Sequence, residues 1–199
     1  MNKKLGLAVA GALVAFSSAA NAGITIPAGD WTVDIGGVVN AYYTSTSQSG
    51  DSVKGGLGGG TDTVNNITTG LLPNYLTVSG KTRQNDLDVA FTISIQPGAA
   101  TSSAATLGSL NQRQAFMTFG DASWGSVKAG KDLGIFASDA ILNDMTLLGV
   151  GSAAAGVGNT TLGRIGTGYM YADWKSQIAY TTPNWNGFQV TAGVTQSWN

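Results

Sequence analysis

The chain contains no cysteine and no histidine, and all 11 of its acidic residues are aspartate. Without cysteine there are no disulfides, and without either residue there is no Cys/His metal site. A nucleophile activated by histidine is excluded as well, so the sequence points away from an enzyme and offers no residues for a cofactor. Charge is also scarce. Charged residues make up 11% of the chain, against about 25% in soluble domains. The 10 basic residues are balanced by the aspartates, which leaves no electrostatic case for nucleic acid. Hydrophobic residues are present at an ordinary 43%. Ser, Thr, Asn, Gln and 29 glycines take the place of the missing charge.

Only one long apolar run occurs, at the N-terminus. Met1-Asn-Lys-Lys is basic, Leu5 to Phe16 is apolar, and Ala20-Asn21-Ala22 is an A-x-A cleavage site before Gly23. This reads as a secretory signal peptide over residues 1–22, cleaved between Ala22 and Gly23. The run is too short to cross a bilayer as a helix. No later stretch is apolar enough to do so either. A mature chain that enters a membrane therefore does it with strands.

The mature part, residues 23–199, reads as seven strands. Trp31–Tyr43 alternates Trp31, Val33, Ile35, Val39 and Tyr43 with mostly polar neighbours. Asn74–Arg83 and Asp86–Gln96 follow; in the latter Leu87, Val89, Phe91, Ile93 and Ile95 face one way, and Asp86, Asp88, Thr92 and Ser94 the other. Gln112–Gly120 and Gly125–Lys131 are the fourth and fifth strands, and the runs flanking Pro183–Gly187 form a final hairpin. Each is a period-2 pattern with one apolar and one polar face. The connections alternate: 45–73 long, 84–85 short, 97–111 long, 121–124 short, 132–174 long, 183–187 short.

Such alternation of faces fits a secreted β-sandwich of adhesive or structural kind. Long and short connections in strict rotation fit better a transmembrane antiparallel β-barrel, with long extracellular loops and short periplasmic turns. So do strands near ten residues with uncharged polar faces. In that fold class, all-β and membrane-spanning, the apolar faces meet outer-membrane lipid and the polar faces water. Trp124 and Trp185 lie in short turns, and Tyr42 and Tyr43 at the far end of the first strand. These are positions for interfacial aromatics. Asp86 and Asp88 then face the lumen.

Two stretches carry a family resemblance. Arg113–Asp132, "RQAFMTFGDASWGSVKAGKD", resembles the strand–turn–strand segment of Gram-negative general porins. Gln177–Val194, with Tyr180, Pro183, Trp185, Gly187 and Phe188 in place, resembles a hairpin of the same family. The resemblance implies a sixteen-stranded barrel in the outer membrane, assembled as a homotrimer. Such a barrel passes ions and small hydrophilic solutes by passive diffusion. It also implies an inward-folded loop, here about 132–174, whose acids Asp139 and Asp144 face basic wall residues. Arg113 and Lys128 are the leading wall residues, with Lys81 and Arg164 as weaker ones. A solute-specific channel of the same architecture is the alternative. The small residues at the centre of the loop, "GVGSAAAGVGNTTLG", favour general diffusion.

The chain departs from the family pattern in places. Ala179 and Tyr75 stand where relatives carry arginine, and Lys131 where arginine is usual, so the wall is less basic than the pattern implies. Seven strands fall short of sixteen, and the expectation is of an N-terminal part of a longer barrel.

Overall fold

The computed structural model describes residues 23–47, 63–68, 74–97, 111–136, 138–139, 143 and 174–197. They form ten strands: β1 (Ile24–Ala28), β2 (Trp31–Val38), β3 (Tyr42–Ser47), β4 (Thr63–Thr68), β5 (Tyr75–Gln84), β6 (Leu87–Gln96), β7 (Asn111–Asp121), β8 (Gly125–Leu133), β9 (Trp174–Thr181) and β10 (Thr191–Thr195). Eight of them make one sheet in the order β1-β2-β5-β6-β7-β8-β9-β10, and β3 pairs with β4 separately. Every pairing is antiparallel. Among the described residues one eight-stranded sheet and the small β3–β4 ladder take the place of the two packed sheets of a sandwich.

The sheet has eight strands where seven were expected. The additional strand is β1, whose alternating Ile24 and Ile26 precede Pro27. Proline cannot donate to a ladder and is confined to edges, and β1 is an edge strand. The expected first strand also ends early, at Val38. The Asn40 amide donates to the Asn74 side chain at 2.5 Å, and the strand direction resumes at Tyr42 in the separate β3–β4 hairpin. Tyr42 and Tyr43 therefore begin β3 and do not end the first strand. Part of the long first connection is this hairpin. In the last hairpin β10 begins only at Thr191.

The short connections follow from local chemistry. Asn85 and Asp86 both have left-handed φ, 49° and 62°, the geometry of a type I′ two-residue hairpin turn, which Asn and Asp tolerate. Asp86 thus sits in the turn and not on the strand face. Asn186 and Gly187 repeat the device with φ of 56° and 97°, between Trp185 and Phe188, which exchange backbone hydrogen bonds of 2.9 and 3.2 Å. The turn after β7 is held by Asp121, whose carboxylate accepts from the Ser123 amide at 2.9 Å and hydroxyl at 2.6 Å. All these turns lie at one end of the sheet, and the long connections leave from the other.

Cross-strand register assigns the faces. Thr77, Ser79, Lys81 and Arg83 of β5 share one face with Ser94, Thr92, Ala90 and Asp88 of β6. That face continues through Gln114, Phe116 and Thr118 of β7, Lys128 of β8, and Gln177 and Ala179 of β9. The opposite face carries Leu76, Val78, Ile93, Ile95, Met117, Ile178 and Val194. The sheet curls toward the polar face: one recess is lined by both Asp34 of β2 and Trp174 of β9, which have four strands between them.

Burial is inverted relative to a soluble domain. Ser94, Gln96, Arg113, Asp132 and Gln177 are buried, and Ala179 is the one buried apolar side chain among the described residues. Ile93 is 52% exposed, Ile178 59% and Val194 72%. A water-soluble protein hides such residues. Here the apolar face is the outside. Aromatic residues gather on it toward the turn end: Trp31 against Phe91 (5.8 Å between ring centroids) and Phe119 against Trp124 (6.5 Å). The Tyr180 hydroxyl donates to the Trp124 carbonyl. Trp185 and Phe188 are exposed nearby in the last turn. The Phe91 ring lies over Gly80, where an added Cβ would stand 2.4 Å from Cε1.

Candidate functional site

The inward face is a wall of small hydroxyl and amide side chains with charges set into it. Strict alternation along β7 puts Arg113 with Ala115, Met117 and Phe119 on the outward face. The structure overrides that parity. Ser94 pairs with Gln114 but Ile95 pairs with Gln112, a β-bulge that leaves Arg113 as the extra residue. Bulges re-aim side chains. Arg113 is 3% exposed and lines the inward recess of about 470 Å³ together with Asp34, Thr77, Gln96 and Gln114. Its guanidinium stacks over the Trp174 ring at 5.7 Å. Its backbone amide donates to Gln96 Oε1 at 3.2 Å, and Gln96 Nε2 donates in turn to Ser94 Oγ at 2.8 Å. The amide displaced by the bulge is thereby satisfied.

Lys128 also points inward, opposite Thr118 and Ala179. Its ammonium pairs with Asp132 at 2.5 Å and lies 4.8 Å from the Phe116 ring. Asp132 is buried and accepts a second bond, from Gln114 Nε2 at 3.0 Å. At the turn end Arg83 joins Asp88 at 2.9 Å and Asp121 at 2.8 Å. Lys81 lies one inward step from Arg83 and is exposed, with no ion pair among the described residues. It lines a second inward recess, of about 880 Å³, with Thr32, Thr118, Ser126 and Gln189. Among the described residues the inward face thus carries ion-paired cations at both ends, Lys128 toward the loops and Arg83 toward the turns, with Lys81 exposed beside Arg83.

The described sheet is curled and antiparallel, apolar outside and polar inside, with its short turns at one end. Residues 8–199 match a family model described as Gram-negative porin. The chain belongs to the Gram-negative porin family. No curated protein and no solved structure gives a significant match. Membership makes this an outer-membrane channel protein of the β-barrel class, in keeping with the all-β antiparallel sheet.

In the porin sheet the expected wall residues Arg113, Lys128 and Lys81 all face inward, as does Asp88. Trp124 and Trp185 sit in short turns, whereas Tyr42 and Tyr43 lie on β3. Ser138 and Asp139 are helical after β8, and the Asp139 carbonyl accepts the Asn143 amide at 3.0 Å. Asp144, Arg164 and Ala22 lie outside the described residues, and Gly23 is the first described. Sequence reasoning placed Ser94 on the polar face and missed Asp34, Gln96, Gln114 and Asp121 as wall residues. Asp34, Gln96 and Gln114 stand on the polar side of a period-2 pattern, so parity alone could have found them; Asp121 shares the parity of Phe119 and joins the wall through its ion pair with Arg83. Nothing in the pattern announces the bulge.

Proposed function

We infer that the protein forms a water-filled pore for passive diffusion of ions and small hydrophilic solutes across the outer membrane. The inverted burial carries this reading: exposed isoleucine and valine outside, buried serine, glutamine, arginine and aspartate inside. In lipid that arrangement puts apolar side chains against hydrocarbon and polar ones against water. The edges β1 and β10 also need strand partners there, because lipid satisfies no backbone group.

The signal peptide delivers the chain, and a trimer is the proposed assembly. The segment after β8 folds inward as the constriction, with Asp139 and Asp144 opposing Arg113. Opposed charges across a narrow lumen set a transverse field, which a low-dielectric wall focuses. Reconstitution in planar bilayers tests the function. Stepwise ohmic conductance is expected, with no saturation by any one solute. A preparation that stays water-soluble and conducts nothing rules it out.

A further inference from the structure

The outward face of the sheet is nearly free of charge, and its exception has a definite place. Lys131 stands opposite Ala115 on β7 and Ser176 on β9. Both neighbours belong to the face that carries Met117 and Ile178. On that face Lys131 is the only cation among the described strand residues, and it forms no ion pair among them. An ammonium ion surrounded by hydrocarbon is expensive. Its cost falls steeply near the interface, where a lysine stem climbs along apolar surface to bring its head to water or headgroups.

Height places Lys131 there. It is on the loop side of β8, and Trp124 marks the turn-side margin. The strand climbs about 18 Å from Trp124 to Lys131 at ~3.3 Å per residue and ~40° tilt. An apolar band of about 25 Å leaves roughly 7 Å to its far margin, the reach of an extended lysine. Two further donors face the same way near it. The Ser176 hydroxyl is its direct cross-strand neighbour, and Gln112, opposite Ile95, is farther along β7 toward the loops. Both are exposed. Lys131 itself is half-buried, flanked by the small side chains of Ala115 and Ser176.

We propose that Lys131, with Ser176 and Gln112, is a docking site for the phosphate of an outer-leaflet lipid headgroup. A cation and two neutral donors, with no outward carboxylate beside them among the described residues, complement an anionic phosphate. Small flanking residues admit a headgroup where a bulky side chain would exclude it. The site rests on the reading of the apolar face as lipid-facing, and it has no part in the lumen wall.

Native mass spectrometry of the detergent-solubilised protein, titrated with phosphatidylglycerol and in parallel with uncharged diacylglycerol, tests the site. The wild type is expected to bind phosphatidylglycerol about fivefold more tightly than Lys131→Gln, the effect of one basic residue at an anionic surface. Lys131→Arg should retain the binding, Ser176→Ala should weaken it less, and diacylglycerol should not discriminate. Equal phosphatidylglycerol affinity in wild type and Lys131→Gln overturns the proposal. So does a Lys131→Gln variant that loses subunit association in phosphatidylcholine alone, because the partner is then a protein carboxylate. Conductance of the same variant separates the two levels. A conducting Lys131→Gln with unchanged lipid binding removes only this site, whereas a wild type that never conducts removes the channel reading itself.

Discussion

The Arg113 backbone amide donates to Gln96 Oε1 at 3.2 Å, directly across the β6–β7 bulge. Gln96 is the acceptor that lets β7 break its alternation, and the break turns an arginine from the lipid side to the lumen. Gln96→Leu should leave that amide unsatisfied, at about 1–3 kcal/mol, and loosen the hold on Arg113. The expected outcome is a lower anion-to-cation permeability ratio in bilayers under a salt gradient, by about two- to fivefold. Arg113→Gln should give a change in the same direction without loss of folded protein. Gln96→Glu, which keeps the acceptor, should preserve the fold.

Asp132 holds Lys128 at 2.5 Å and Gln114 at 3.0 Å. The ammonium is thus largely neutralised as seen from the lumen. Asp132→Asn removes the countercharge while keeping an acceptor for Gln114. The permeability ratio should shift toward anions by about two- to fivefold, and Lys128→Gln in the same background should cancel the shift. An unchanged reversal potential in both variants would show that Lys128 is remote from the ion path.

Neighbouring residues on β6 should respond oppositely to the same substitution. Ile93→Arg places a charge near the middle of the outward face, which costs about 2–4 kcal/mol at the bilayer midplane. It should lower the temperature at which the folded band disappears on a gel. Thr92→Arg places the same charge on the inward wall and should leave that temperature nearly unchanged while reducing conductance. In a water-soluble protein the order would differ, since an isoleucine 52% exposed is easily replaced by arginine.

Much of this was legible in residues alone. Period-2 alternation located β5 to β9 and gave the faces of β5 and β6, and loop lengths identified which end carries the turns. Three things were not. Pro27 hid β1, because proline argues against a strand until the strand is known to be an edge. The break after Val38 depends on Asn40 bonding Asn74, 34 positions away. The inward aim of Arg113 depends on a bulge held by Gln96 on another strand, so strict parity along β7 gives the wrong face. Local pattern reports the period of a strand; a one-residue irregularity set by tertiary hydrogen bonds reverses its faces.

The central claim is that adjacent side chains on one strand look into different solvents. The absence of cysteine from the chain permits a direct measurement with single-cysteine variants Thr92→Cys and Ile93→Cys reconstituted in vesicles. A fluorophore on Cys-substituted position 93 should be quenched by brominated lipid chains and ignore a water-soluble quencher, and position 92 should behave in the reverse manner. Equal water accessibility at both positions, or lipid quenching at position 92 and not at 93, would contradict the account.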